Sequence, residues 1–157
     1  MFGFLSKANV LKAPISGKVI DLKEVPDQVF AEKMAGDGAA IVSTGDTIVS
    51  PADGKLTFIF KTNHAFGLNL DNGAEILVHI GVDTVELKGE GFTRIAEEGT
   101  YVKAGDPIIK LDREFIISKG YSLITPVLIT NADIIKKLEV KVGKEVKSGD
   151  VMLSYKL

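Results

Sequence analysis

The chain has 157 residues, a length typical of one domain. It carries 19 basic and 21 acidic side chains, and this balance argues against a nucleic-acid-binding protein, which would normally show a clustered basic excess. Cysteine is absent, which excludes disulfides, thiol catalysis and cysteine-ligated zinc. No apolar run is long enough for a transmembrane helix, and the first residues lack the cleavage site of a secretory signal, so we expect a cytoplasmic protein.

Most apolar segments of the sequence are short, rich in Val and Ile, and bounded by Gly, Asp, Asn or Pro. These segments are Lys18–Leu22, Ala39–Val42, Lys55–Phe60, Glu75–Ile80, Pro107–Leu111 and Ser122–Ile129. Their length and composition are typical of strands, and their regular spacing predicts an all-β fold, an antiparallel sandwich or barrel-like structure. Helical signals occur only at Asp112–Lys119, before Gly120, and at Asn131–Leu138, where Asn131 can cap a helix.

Two short patterns recur along the chain. Val-x-x-Gly-Asp-x-apolar-apolar begins at Val42, Val102 and Val146, and a Pro-x-x-Gly-Lys pattern begins at Pro14 and Pro51. In such patterns Gly permits a left-handed backbone and Asp bonds to nearby amides, so we interpret them as turn modules of a duplicated fold with two similar halves. These turns also resemble those of biotinyl and lipoyl carrier domains. The Met-Lys-Met or Asp-Lys-Ala tripeptide that carries the cofactor in those domains is absent from this chain.

The chain contains only two histidines, His64 and His79, on predicted strands that flank the hairpin signal Asp71-Asn72-Gly73. A two-residue loop of Asp71 and Asn72 would place the two imidazoles directly opposite each other. A loop of Asn72 and Gly73 would make them diagonal neighbours on one face, whereas a three-residue loop would place them on opposite faces. Two of the three simple registers bring the rings together, so we expect one site that contains both.

Two adjacent imidazoles can merely form hydrogen bonds, can hold a metal, or can act as nucleophile and helper. For zinc, Asp83 is the third candidate ligand beside His64 and His79, and His-x-x-x-Asp occurs in zinc peptidases that resemble this chain in that half. Those enzymes also need a His-x-His pair, which a chain with two histidines cannot supply. A neutral imidazole, with a pKa of about 6.5, can instead attack a phosphoryl group, while the second imidazole forms a hydrogen bond to the phosphoryl oxygens.

Two longer motifs of the sequence resemble a known family. They are Thr62-Asn63-His64-Ala65-Phe66-Gly67 and the stretch Val78–Phe92, VHIGVDTVELKGEGF, and the likeness continues through Pro14–Gly17, Met34–Gly38, Ile95–Gly99 and Leu123–Val127. With these motifs the sequence resembles the glucose-type enzyme IIA of the bacterial phosphoenolpyruvate–sugar phosphotransferase system over nearly the whole chain. The resemblance implies a β-sandwich phosphocarrier, with residues 13–157 as a single domain and no cofactor.

The same resemblance assigns roles to individual residues. His79 would accept a phosphoryl group on Nε2 from phospho-HPr and pass it to a cysteine on the IIB domain of a sugar permease. His64 would contact the phosphoryl group, and Thr62 would orient His64. Asp37 and Asp83 would flank the site and meet arginines of HPr.

The remaining expectations concern the surface around the site and the N-terminus. Phe60, Phe66, Leu77 and Val85 would form an apolar rim that docks both partners and excludes water that would hydrolyse the phosphohistidine. Residues 1–12 are predicted to be a flexible segment with at most a weak peripheral membrane contact. The single domain indicates a free-standing carrier, and the sequence leaves the sugar permease and any regulatory partner proteins open.

Overall fold

The structure is a computed structural model, and it describes residues 8–157. The strands of this range are β1 (Asn9–Lys12), β2 (Gly17–Ile20), β3 (Asp37–Ser43), β4 (Thr47–Val49), β5 (Gly54–Ile59), β6 (Ala65–Asn69), β7 (Glu75–His79), β8 (Phe92–Arg94), β9 (Tyr101–Val102), β10 (Pro107–Leu111), β11 (Ile124–Ile129), β12 (Lys137–Val140), β13 (Glu145–Val146) and β14 (Val151–Lys156). The helices are α1 (Gln28–Ala31) and α2 (Arg113–Ser118), with 3₁₀ turns at Leu22–Glu24, Thr84–Leu87 and Ala132–Ile134. None of the helices in the described range is both long and apolar enough to cross a membrane.

The strands form three antiparallel sheets that share one apolar core. The large sheet has the order β13-β2-β3-β11-β7-β6-β5-β9, and the two small sheets have the orders β1-β14-β12 and β4-β10-β8. Val78 of the large sheet and Leu153 and Ile109 of the small sheets are fully buried in the same cluster. The predicted antiparallel all-β fold is therefore confirmed, and burial of apolar side chains from all three sheets stabilises it.

Two of the repeated patterns form equivalent turns in the structure. The Ala13 N–H donates to the Asp150 carbonyl at 2.7 Å, and the Ser50 N–H donates to the Asp106 carbonyl at 2.8 Å. Each of these aspartates also accepts a 2.9 Å bond on its carboxylate from the main-chain N–H three residues earlier. Asp46, in the third copy, differs because its carboxylate forms a salt bridge with a lysine of β10 instead.

The helix predicted at Asn131–Leu138 is wrong. The chain makes only the 3₁₀ turn Ala132–Ile134 there and then enters β12. The Asn131 side chain does not cap a helix, because it accepts from the Glu75 N–H and donates to the Gly73 carbonyl, both at 2.9 Å. The Asn131 side chain, predicted to cap a helix, therefore stabilises the hairpin between β6 and β7 instead.

The helix predicted at Asp112–Lys119 is confirmed as α2, with the Asp112 carboxylate accepting from the Phe115 N–H at 3.2 Å. The helix α1 was not expected from the sequence. Its cap is Asp27, whose carboxylate accepts from the Val29 N–H at 2.9 Å. Four residues are too few to show a helical period, so the apolar pattern does not predict this helix.

The N-terminal prediction needs a partial correction. Residues 9–12 form β1 and pair with β14, with Asn9 opposite Tyr155, so this part of the predicted flexible segment 1–12 is a strand. Residues 1–7, on which the predicted membrane contact depends, lie outside the described residues.

The outer face of the large sheet carries a second, smaller apolar cluster. Along β7 the side chains alternate, with Val78 in the main core and Leu77 in the outer cluster. Leu22, Val25 and Phe30 also belong to this outer cluster, so the segment that contains α1 covers this face. His79 shares the outer face with Leu77, because the two residues are separated by one position on the strand.

Candidate functional site

The hairpin that carries the histidines does not have either of the registers expected to join them. Ala65 pairs with His79 and Phe66 with Val78, and the ladder ends at Asn69 and Glu75. The Leu70 N–H then donates to the Ala74 carbonyl at 2.9 Å, which leaves the three-residue loop 71–73. By strand alternation alone, this register would place His64 and His79 on opposite faces. The hairpin therefore has the third of the three registers considered, and strand pairing alone does not join the two rings.

The two imidazole rings meet nevertheless, with centroids 5.0 Å apart and planes at 80°. His64 immediately precedes β6 and follows Asn63, which has a left-handed backbone with φ of 59°. The main chain of His64 stays in register, since its carbonyl accepts from the Ile80 N–H at 2.6 Å. Its ring is free to turn toward His79, because strand alternation does not extend through the left-handed residue before it.

His79 lies at the end of β7, half-buried, with its ring held from two sides. Its Nδ1 lies 2.8 Å from the Gly81 carbonyl oxygen. Since a carbonyl oxygen only accepts, Nδ1 carries the proton and the lone pair of the neutral ring is on Nε2. The Phe30 ring packs at 4.9 Å between centroids and limits the space around the imidazole.

His64 is buried, with only 2% of its surface exposed. Its Nδ1 lies 2.6 Å from Thr62 Oγ1, the contact expected of a residue that orients this ring. Phe60 packs edge-on against the ring at 5.2 Å between centroids. Thr62 and Phe60 therefore fix the plane of the His64 ring beside His79.

The electrostatics keep both imidazoles neutral at neutral pH. Burial, and secondarily the charge of His79, lowers the pKa of His64 to about 4. Burial also lowers the pKa of His79, while its bond to the Gly81 carbonyl and the nearby carboxylates of Asp27 and Asp83 raise it. The site therefore presents an unprotonated, nucleophilic Nε2 at pH 7.

Two carboxylates, Asp27 and Asp83, act on His79, whereas within the described residues no contact joins Asp37 to either histidine. Asp83 is exposed, has a left-handed φ of 59°, and precedes the turn Thr84–Leu87. Asp37, at the start of β3, accepts from the Gly38 N–H at 2.8 Å and pairs with Lys33 at 3.6 Å. Asp27, which sequence reasoning missed, joins Asp83 as a carboxylate that acts on His79.

The predicted apolar rim is only partly a surface. Phe60 and Val85 are 44% and 46% exposed, and Leu77 is half-buried on the outer face. Phe66 is fully buried in the main core, so its assignment to the rim is wrong. The reason is the register, which pairs Phe66 with Val78 and directs it to the core face rather than to the site.

Sequence reasoning also missed the apolar side chains that α1 and the following loop bring to the site. Phe30 contacts His79, and Val29 and Met34 beside it are exposed. The only sequence signal for α1 is the dipeptide Pro26-Asp27, which is typical of a helix start. No helical period of apolar residues follows it. Exposed apolar side chains beside a reactive group indicate a docking surface.

The zinc alternative lacks a ligand set in the part of the chain that the structure describes. Across residues 8–157, no group of three or more His, Cys, Asp or Glu side chains is gathered so that it could hold a metal ion. His64 and His79 contact each other, but a zinc site needs about four ligands, usually three or more from protein.

The fold and the site together define a small all-β protein with two adjacent imidazoles, of which His79 is held through its Nδ1. A family model described as "phosphoenolpyruvate-dependent sugar phosphotransferase system, EIIA 1" matches residues 9–135. The chain belongs to this family, and the resemblance inferred from its motifs is confirmed.

Similar proteins agree with this family. The chain is 49% identical to a "PTS system glucose-specific EIIA component" of Borreliella burgdorferi, over 92% of this chain and 76% of that protein. It is 45% identical to a "PTS system N-acetylglucosamine-specific EIICBA component" of Escherichia coli, over 91% of this chain and 22% of that protein. The solved structure of glucose permease IIA from Mycoplasma capricolum matches with a TM-score of 0.90 and 42% identity, over 98% of this chain and 99% of that one.

Proposed function

We propose that this protein is a phosphohistidine carrier of the sugar phosphotransferase system, working in the cytoplasm between phospho-HPr and the IIB domain of a glucose-type permease. His79 is the acceptor. The observation that carries the proposal is the bond from His79 Nδ1 to the Gly81 carbonyl, which leaves Nε2 as the nucleophilic nitrogen next to a second imidazole. Membership of the EIIA family supports the same role.

The chemistry consists of two displacements at phosphorus. The lone pair on His79 Nε2 attacks the phosphoryl group, and the bond from phosphorus to the donor breaks as the new P–N bond forms. A cysteine thiolate of IIB then attacks phosphorus, and the P–N bond breaks to return a neutral imidazole. Such transfers depend chiefly on positioning and on stabilising charge at the equatorial oxygens.

His64 supplies that stabilisation. In the proposed tautomer the Thr62 hydroxyl donates to Nδ1, so the proton of the neutral His64 ring is on Nε2 and can be donated to a phosphoryl oxygen. Burial strengthens such a bond because it lowers the local dielectric. No cofactor takes part in either displacement.

The surface around the site suits two protein partners in turn. Asp27 and Asp83 lie beside His79, and an acidic surface attracts a basic donor such as one that presents arginines. Phe60 and Val85 add exposed apolar area that excludes water from the phosphohistidine. The relative whose name joins IIC, IIB and IIA in one protein supports IIB as the acceptor.

The test is the intact mass of the protein after incubation with phosphoenolpyruvate, enzyme I and HPr. The wild type should gain one phosphoryl group, and His79→Gln should gain none while its circular dichroism stays unchanged. A folded His79→Gln variant that still takes up one phosphoryl group would overturn the assignment, as would a wild type that takes up none.

A further inference from the structure

Arg94, at the end of β8, joins a small sheet to the turn that carries His64. Its main chain pairs with the fully buried Ile109 of β10, so its backbone is anchored in the core. Its side chain crosses to the large sheet, where Nε donates to Asn63 Oδ1 at 2.9 Å and Nη2 donates to the Phe60 carbonyl at 3.2 Å. One guanidinium therefore contacts the first and the last residue of the turn Phe60–Asn63.

This turn contains the contacts that orient His64. Thr62, inside the turn, bonds to His64 Nδ1, and Phe60, at its start, packs edge-on against the ring. Asn63 has a left-handed backbone, and its N–H donates to the Phe60 carbonyl at 2.7 Å to close the turn. Because a left-handed backbone is unfavourable for most side chains, the turn needs additional contacts to keep its shape.

A second side chain from the same segment supports β5 just before the turn. The Glu98 carboxylate accepts from the Ile59 N–H at 2.8 Å. This N–H lies on the edge of β5 that pairs with β9, and β9 pairs there only with Gly54 and Lys55. Arg94 and Glu98 therefore fix the end of β5 and the turn after it through charge-assisted bonds.

We propose that Arg94 is a positioning residue for phosphoryl transfer, which holds the turn Phe60–Asn63 and through it the ring of His64. The guanidinium acts through its two-pronged geometry, which an ammonium cannot reproduce. The proposal rests on the proposed function for its kinetic consequence, but its structural consequence, the orientation of His64, stands independently of transfer.

The experiment compares Arg94→Met, Arg94→Lys and Lys61→Met. Lys61 lies exposed in the same turn, so Lys61→Met removes one positive charge there without removing the bonds of Arg94. The first readout is the ¹⁵N NMR spectrum of the His64 ring in the isolated protein, which reports its tautomer and hydrogen bonding. The second is the rate of transfer from phospho-HPr, separated into kcat and KM.

Arg94→Met and Arg94→Lys should both shift the His64 ring resonances and lower kcat about tenfold, part of the roughly hundredfold loss that a 1 Å misplacement can cause. Lys61→Met should leave the ring resonances unchanged. If Arg94→Met does not fold, Asn63→Gly, which still permits the left-handed backbone, removes one of the two bonds from the other side and should produce the same NMR change.

Unchanged His64 resonances and an unchanged kcat in a folded Arg94→Met variant would overturn the proposal. A raised KM with an unchanged kcat and normal His64 resonances would also overturn the proposal, because it would make Arg94 a docking residue. Full rescue by Arg94→Lys would do the same, because it would show that only charge matters. A wild type that accepts no phosphoryl group refutes the proposed function, and the NMR comparison still decides the role of Arg94.

Discussion

The Gly81 carbonyl lies 2.8 Å from Nδ1 of His79, two residues earlier in the chain, and this bond sets which nitrogen of His79 is free to react. Gly81 has a φ of 84°, a conformation that an L side chain rarely adopts. A Cβ at this position would lie 2.6 Å from the Ser122 carbonyl oxygen and 2.6 Å from Thr84 Cγ2. Glycine is therefore required for the carbonyl to reach the ring.

We expect Gly81→Ala to reduce both stability and transfer. The strain and the two close contacts should cost roughly 1–3 kcal/mol of unfolding free energy. Displacement of the carbonyl should let His79 populate its other tautomer, so transfer from phospho-HPr should fall about tenfold or more. Urea denaturation and ¹⁵N NMR of the His79 ring measure the two effects.

Gly73→Ala is the matched control. Gly73 also has a positive φ, 96°, but a Cβ there would meet no heavy atom within 4 Å. Gly73→Ala should therefore introduce backbone strain without a steric clash. It should leave the His79 tautomer and the transfer rate unchanged. Equal kinetic losses in the two variants would show that the Gly81 carbonyl has no special role.

Replacement of His64 separates a helper from an acceptor. His64→Gln should still carry one phosphoryl group on His79, because an amide N–H can bond to a phosphoryl oxygen. Rates of uptake and of transfer to IIB should fall by roughly 10²-fold, the cost of losing one strong hydrogen bond at a transition state. Rapid-quench measurements in both directions test this, and a folded variant that accepts no phosphate would indicate that the two histidines have exchanged roles.

The depressed pKa values give a signed pH dependence. His79 must be unprotonated to attack, and burial lowers its pKa below the ordinary imidazole value, so transfer should persist to a lower pH than a free imidazole would allow and fall as His79 becomes protonated. NMR titration should show His64 changing charge near pH 4. A His79 midpoint above 6.5 would contradict the argument that burial dominates its environment.

The same shift makes the fold acid-sensitive. The unfolded chain binds a proton on His64 near pH 6.5, whereas the folded chain does so only near pH 4, so stability is retained above pH 6.5 and lost as pH falls toward 4. This contribution should amount to roughly 3 kcal/mol. Urea denaturation across this range should show a shallower loss for His64→Gln than for the wild type, and equal slopes would contradict the assignment.

The acidic residues are expected to act on association. Reversal of Asp37 and Asp83 to Lys should slow transfer from HPr about tenfold at low salt by lowering the association rate, and added salt should shrink the difference. The control reverses Asp71 and Asp133, exposed residues at the hairpin loop 71–73 and in the turn 132–134, with the same change in net charge. If both double variants slow transfer equally, net charge alone is responsible.

The sequence by itself determined several strands, one helix and the expectation that the two histidines share one site. Short Val- and Ile-rich segments predicted the strands, since apolar β-branched side chains suit a half-buried pleated surface, and α2 followed from its cap at Asp112 and the glycine after its end. Two histidines beside a hairpin signal predicted one imidazole site. The repeated patterns predicted turns, because their aspartates bond to main-chain groups close by in the sequence.

Tertiary structure decided the features that depend on distant groups. The hairpin register follows from a three-residue loop, and the meeting of His64 with His79 depends on the left-handed Asn63 rather than on strand alternation. Asn131 fastens a hairpin instead of capping a helix, and Phe66 packs in the core instead of the rim. A local sequence pattern indicates which conformations a segment can adopt. The contacts named above join residues far apart in the chain, so the packing of the sheets selects among those conformations.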